Sequence, residues 1–204
     1  ILLHHRGLVN NGAHTFDRMG VDEGAVFITS MPFFHTGGCV LCVLAAVSRK
    51  VTQVVIEQFE PGLVLEMVEV FGAQAMAGVP TMLIAMLEHP DFARRDLSTI
   101  RSINSGGSTV PEALVARFEK ELGANFTIVF GQTECSPVAS MTRPDDTLED
   151  KGNTLGPPMP HVEVKVIDPE SGETLPLGAM GEYCTRGYHV MHEYFDMEEA
   201  TAET

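Results

Sequence analysis

Apolar positions switch repeatedly between two spacings. Residues 5–18 have helical spacing and lead to Gly20. Ala25–Thr29 is a compact β-prone run, and Gly37–Ala46 is an apolar helix candidate. Val51–Ile56 gives another strand. Pro61 then opens a helix with Leu63, Val64, Met67, Val68 and Phe71 along one face. Ala73–Ala77 reads as a short strand, and Val79-Pro80-Thr81 introduces the next helix. Ile100–Asn104 forms a strand that runs into Ser105-Gly106-Gly107-Ser108. The helix after it has Thr109 and Glu112 at capping-box spacing, Pro111 in its first turn and Gly123 as its stop. Leu114, Val115, Phe118 and Leu122 make its buried stripe. The strand Asn125–Phe130 follows and ends in Gly131-Gln132-Thr133-Glu134. This alternation predicts an α/β fold, a mostly parallel sheet flanked by helices.

Near residue 155 the period changes. Val162–Ile167 alternates strictly, as in a strand with one wet face, and Asp168–Glu173 is a turn cluster before a second strand, Glu182–Arg186. The prediction is a small antiparallel β-rich subdomain. Thr142–Asn153, rich in Pro, Asp and Gly, is the expected connector. Residues 1–153 are therefore expected to be the α/β portion of a large domain, and 154–204 a truncated β-rich subdomain. The chain opens on Ile1 and stops at Thr204, so it is expected to be a piece of a longer protein.

Composition narrows the partners. The 204 residues carry a formal net charge of −15, which argues against nucleic acid, because a phosphate backbone would be repelled. The acidic runs 145–150 and 198–203 read as solvated surface. No apolar run is long enough for a transmembrane segment. Of the four cysteines, Cys39 and Cys42 have C-x-x-C spacing inside an apolar stretch, and without a second such pair they read as small core residues.

The sharpest chemistry lies at the end of the 125–130 strand. Ligands of open α/β sheets collect at the carboxyl ends of strands, and there the chain delivers a hydroxyl, Thr133, beside a carboxylate, Glu134. Glu134 can hold Mg²⁺, a hard cation that shares oxygen ligands with phosphates, and Thr133 can donate to a phosphate oxygen. Neither G-x-x-x-x-G-K-[ST] nor G-x-G-x-x-G occurs. Ser105 is not in a nucleophile elbow, since Ile103 stands where that turn needs glycine. Alone, His35 reads as structural, and His189 and His192 read as surface residues.

Taken in order, the pieces are more specific. They are Met-Pro-Phe-Phe-His at 31–35, Gly-Val-Pro-Thr-Met-Leu at 78–83, Ser-Gly-Gly-Ser at 105–108, Phe-Gly-Gln-Thr-Glu at 130–134, Leu-Gly-Pro-Pro-Met-Pro at 155–160 and Gly-Glu-Tyr-Cys-Thr-Arg-Gly-Tyr-His-Val-Met at 181–191. This series resembles the AMP-forming acyl-CoA synthetases of the adenylate-forming superfamily, over nearly the whole length of the chain. The resemblance implies a cytoplasmic parent that uses ATP and Mg²⁺ to turn a carboxylic acid into an acyl-adenylate, then passes the acyl group to coenzyme A. It assigns Mg²⁺ to Glu134 and the α-phosphate to Thr133. It places Phe130, Gly131 and Gln132 along the adenylate, with phenylalanine where tyrosine is common. Gly106, Gly107 and Ser108 would border adenine and the acyl group, and His35 the substrate carboxylate. Phe33, Phe34, the Gly37-Gly38 region and the Met-rich 76–86 region suggest an apolar, fatty acid; plain core filling explains them equally well. The family's lysine-bearing phosphate loop, its ribose-binding aspartate and its mobile C-terminal domain are not among these residues, so the chain alone is expected to be inactive. A carrier-protein-loading adenylation domain and a non-catalytic nucleotide-binding or interaction module remain the alternatives.

Overall fold

A computed structural model describes residues 1–204. Helix α1 (His5–Met19) precedes β1 (Val26–Thr29). A helical hook follows, made of α2 (Thr36–Gly38), a π-helical turn over Cys39–Leu44 and α3 (Ala45–Ser48). Next come β2 (Thr52–Val55), α4 (Pro61–Phe71), β3 (Ala75–Ala77), α5 (Pro80–Glu88), β4 (Ser102–Gly106), α6 (Glu112–Leu122) and β5 (Asn125–Gly131). The chain ends with β6 (Val138–Met141), α7 (Leu148–Asn153), β7 (Val162–Ile167), β8 (Glu182–Gly187) and α8 (Glu198–Ala202).

Six strands form one sheet in the order β2-β1-β3-β4-β5-β6, and β7 and β8 form a separate antiparallel pair. Strands β1 to β5 pair in parallel, and only β6 runs against its neighbour. The mostly parallel, helix-flanked sheet with its small antiparallel unit is the architecture expected from the sequence. No helix is long and apolar enough to cross a membrane.

Strand alternation separates two cores. Ile28 and Met76 face a core shared with Val64, Leu65, Val68, Leu83, Val115 and Phe118 of α4, α5 and α6. Their neighbours Phe27 and Ala75 face the other side, against Phe16 and Met19 of α1 and Ala45 and Ala46 of α3. The connections change faces between β1 and β3. In an open α/β sheet that reversal opens a crevice at the carboxyl ends of the strands.

Some sequence expectations need correction. Thr109 does not cap α6. The helix begins at Glu112 with Pro111 extended at its N-cap (ψ 137°), which puts Glu112 two positions too early for a capping box. Strand β6 was not expected, because Val138–Met141 has no alternation of its own and is set by pairing with β5 and by a bridge from Ser140 to Pro158. The expected connector contains α7, whose first turn is capped where Thr147 Oγ1 accepts from the Asp150 backbone N–H at 3.1 Å. Thr147→Ala is expected to cost about 1 kcal/mol, read as a lower urea midpoint with unchanged slope. Phe34 is 96% exposed and Phe33 is exposed too, so neither fills the core, whereas Met76 and Met86 do. His189 is not a surface residue. The chain folds back after β8, buries the ring fully and brings Nε2 to 2.9 Å from Thr185 Oγ1. Burial lowers its pKa, which keeps the ring neutral at pH 7.

Candidate active site

Four parallel strands aim their carboxyl ends at one crevice. A cavity of about 270 Å³ is lined by Met31 and His35 beyond β1, Ala77–Val79 at β3, Asn104–Gly107 at β4, and Val129, Gly131 and Gln132 at β5. Leu41 and Val138 complete an apolar wall. A second cavity, of about 440 Å³, lies beyond β4 and β5 and is lined by Ser108–Val110, Ile128–Gly131 and Lys151–Leu155. Gly107, Val129 and Gly131 line both. The site is thus a cleft with two arms that meet at two glycines.

Those glycines answer to space and conformation. A Cβ on Gly131 would lie 1.9 Å from the Pro137 carbonyl oxygen, and one on Gly106 would lie 2.5 Å from that of Val129. Gly107 has φ +79°, a conformation that side chains resist. The glycine-rich run is therefore required by the turn itself, and it also leaves backbone open to a ligand.

The expected residues fall on both arms. His35 and Gly106 line the apolar arm with Gln132; Ser108 and Phe130 line the other; Gly107 and Gly131 stand at the junction. Phe130 is held edge-on by Tyr183, ring centres 5.4 Å apart. His35 Nδ1 accepts from the Gly37 backbone N–H at 2.9 Å. In the neutral ring the proton is then on Nε2, a donor suited to a carboxylate oxygen. Thr133 and Glu134 line neither cavity. They begin the one-turn 3₁₀ helix Thr133–Cys135 directly after Gln132, both half-buried.

Glu134 is tied down at two points. Its backbone carbonyl accepts from Met191 N–H at 2.7 Å, and its Oε1 accepts from the Tyr194 hydroxyl at 2.9 Å. No lysine or arginine pairs with it. No cluster of three or more potential metal ligands exists. A lone carboxylate with one oxygen uncommitted fits Mg²⁺, which takes one or two carboxylates and leaves its other positions to phosphates and water. The hydrogen bond to the carboxylate raises the Tyr194 pKa, so the phenol remains a donor. Burial and the neighbouring Glu134 charge push the Cys135 thiol up to about 11, which keeps it from acting as a nucleophile at neutral pH.

Three supporting residues escaped the sequence reading. Asn11 of α1 is fully buried, donates to the Val138 carbonyl at 2.8 Å and accepts from its N–H at 3.1 Å. It thereby fixes the far end of the Gln-Thr-Glu loop. Lys151, 3% exposed, binds Glu119 at 2.6 Å and the Pro144 carbonyl at 2.8 Å, and so anchors α7 as a wall of the larger arm. Tyr194 is the third. Each joins residues far apart in sequence, and no local pattern marks such pairs.

Known proteins match nearly the whole length of this chain. The AMP-binding enzyme family matches residues 1–195. The Bacillus subtilis protein YngI is 40% identical over 202 residues, covering 98% of this chain and 37% of that protein. The medium-chain acyl-CoA ligase ACSF2 of Danio rerio, a mitochondrial protein by its name, is 35% identical over 98% of this chain and 34% of its own length. The chain thus spans about a third of the length of these relatives. Among solved structures, a long-chain-fatty-acid-CoA ligase of Archaeoglobus fulgidus superposes with TM-score 0.86 at 26% identity, covering 98% of this chain and 42% of that one. On the strength of the match over residues 1–195, the chain belongs to the AMP-binding enzyme family.

Proposed function

We propose that these residues form the acid- and nucleotide-binding core of an AMP-forming acid:coenzyme A ligase. The supporting observation is the two-armed cleft: an apolar arm with His35 and a second arm with Phe130 meet at Gly107 and Gly131. A carboxylate is a poor electrophile, and joining it to AMP gives it a good leaving group. That step needs a carboxylate oxygen in line with the α-phosphorus, two anions held at contact distance.

In this reading the acid lies in the apolar arm, its carboxylate near His35 Nε2–H. Adenine lies in the larger arm against Phe130 and Ser108, which brings the α-phosphate to the junction. The glycines there let backbone approach both ligands. Thr133 donates to an α-phosphate oxygen, and Glu134 supplies the protein oxygen for Mg²⁺. When bound, that cation neutralises charge on the phosphates as pyrophosphate leaves. Met31, Leu41, Val79 and Val138 favour an apolar acid chain, in keeping with the medium-chain acyl-CoA and long-chain-fatty-acid names of two of the similar proteins. Coenzyme A is the proposed acceptor for the second step. We place the activity in the longer protein, whose remaining length would complete the phosphate and ribose contacts.

The test is pyrophosphate release with ATP, Mg²⁺ and saturated acids of graded length, with and without coenzyme A. The full-length protein should release pyrophosphate and form a thioester, while the 204-residue chain should do neither. Absence of acid-dependent pyrophosphate release from the full-length protein overturns the reading. A product formed only with an amine or a carrier-protein thiol overturns its second step alone.

A further inference from the structure

Between β8 and α8 the chain makes a short strap, Met191–Tyr194, that joins two distant places. Met191 N–H donates to the Glu134 carbonyl at 2.7 Å. On the other side His192 N–H donates to the Leu2 carbonyl at 2.8 Å, and Leu2 N–H donates to the Glu193 carbonyl at 2.9 Å. The end of the strap is fixed as well, since Tyr194 N–H donates to Thr201 Oγ1 at 3.0 Å. From this anchored backbone the Tyr194 hydroxyl reaches Glu134 Oε1, the only side-chain hydrogen bond that carboxylate makes.

We propose that Tyr194 is a positioning residue for Glu134, holding Oε1 so that Oε2 faces the nucleotide-bound divalent cation. The inference rests on the role given to Glu134 above. An ionised carboxylate is an acceptor with two oxygens, so satisfying one leaves the other free to coordinate. The donor's chemistry matters. A lysine or arginine at this position would neutralise the carboxylate and repel a cation, whereas a phenol orients it at no cost in charge. Ligating carboxylates depend on such outer partners, whose loss costs about 10- to 100-fold in metal affinity. Because Met191 holds the Glu134 backbone and Tyr194 its side chain, the strap fixes both the place and the rotation of one ligand.

Tyr194→Phe removes the hydroxyl and keeps the ring. In the full-length protein, ATP binding is titrated by calorimetry against Mg²⁺, and AMP binding is measured without metal. The expected result is a half-saturating Mg²⁺ concentration raised about 10-fold, with metal-free AMP affinity unchanged. A purely structural role would weaken both alike. Wild-type Mg²⁺ dependence in Tyr194→Phe, or an equal loss of AMP and Mg²⁺-ATP binding, overturns the proposal. Glu134→Gln run in parallel separates the two claims. If it too leaves the Mg²⁺ dependence intact, the assignment of Glu134 itself fails; if it alone raises the requirement, only the role of Tyr194 fails.

Discussion

Glu134→Gln in the full-length protein is expected to slow acid-dependent pyrophosphate release by about 10²- to 10³-fold, the range for removing one preorganised charge-stabilising group. The substitution keeps size, shape and the oxygen that Tyr194 reaches, so the fold should hold. It deletes a full negative charge that no lysine or arginine balances in the protein. The effect should fall mainly on kcat and on the Mg²⁺ requirement, with little change in KM for the acid, because the carboxylate lies outside the apolar arm. Steady-state kinetics at several Mg²⁺ concentrations check this. Unchanged kcat at every concentration would falsify the role given to Glu134.

Gly131→Ala should act through the backbone. The new methyl carbon would lie 1.9 Å from the Pro137 carbonyl oxygen and 2.9 Å from Val138 Cα, and neither can swing away as a side-chain tip could. Both contacts are backbone atoms next to the β5–β6 pairing, where the register shifts at Phe130/Gly131, so relief requires moving the chain itself. The expected loss is about 3 kcal/mol or more, at the upper end of overpacking penalties and a large share of the roughly 5–15 kcal/mol that holds a domain together. Both arms would be disturbed, so activity should vanish even in molecules that stay folded. Urea unfolding of the variant measures the first effect and pyrophosphate release the second. Gly107→Ala is the control: nothing lies within 4 Å of its added carbon, and only the φ of +79° resists, at about 1–2 kcal/mol. Similar losses in the two variants would contradict the steric account.

Much of this was legible in the sequence, for a physical reason. The strands β1 to β5 and the helices α4, α5 and α6 are set by local periodicity, by prolines at helix starts and by the left-handed glycines Gly72 and Gly123 at helix ends. His35, Gly106–Ser108 and Phe130–Gln132 stood out in the sequence because loops at strand ends carry compact motifs, whereas the Lys151–Thr154 wall carries none. Contacts across sequence distance stayed hidden. Asn11 meets Val138 across 127 residues, and Tyr194 meets Glu134 across 60. Strand β6 exists because β5 offers it an edge, and His189 is buried because the chain doubles back. Thr109 misled because Pro111 moved the start of the helix past the reach of its hydroxyl.

The two arms have only Gly107, Val129 and Gly131 in common. In the proposed reading, acid choice and nucleotide binding therefore draw on nearly separate sets of residues. Replacements at Ala77, Val79 or Leu41 can resize the berth for an acid without touching a residue of the nucleotide side. In that reading one scaffold takes differently shaped acids through changes on a single bank of the cleft, with Gly107 and Gly131 left as they are.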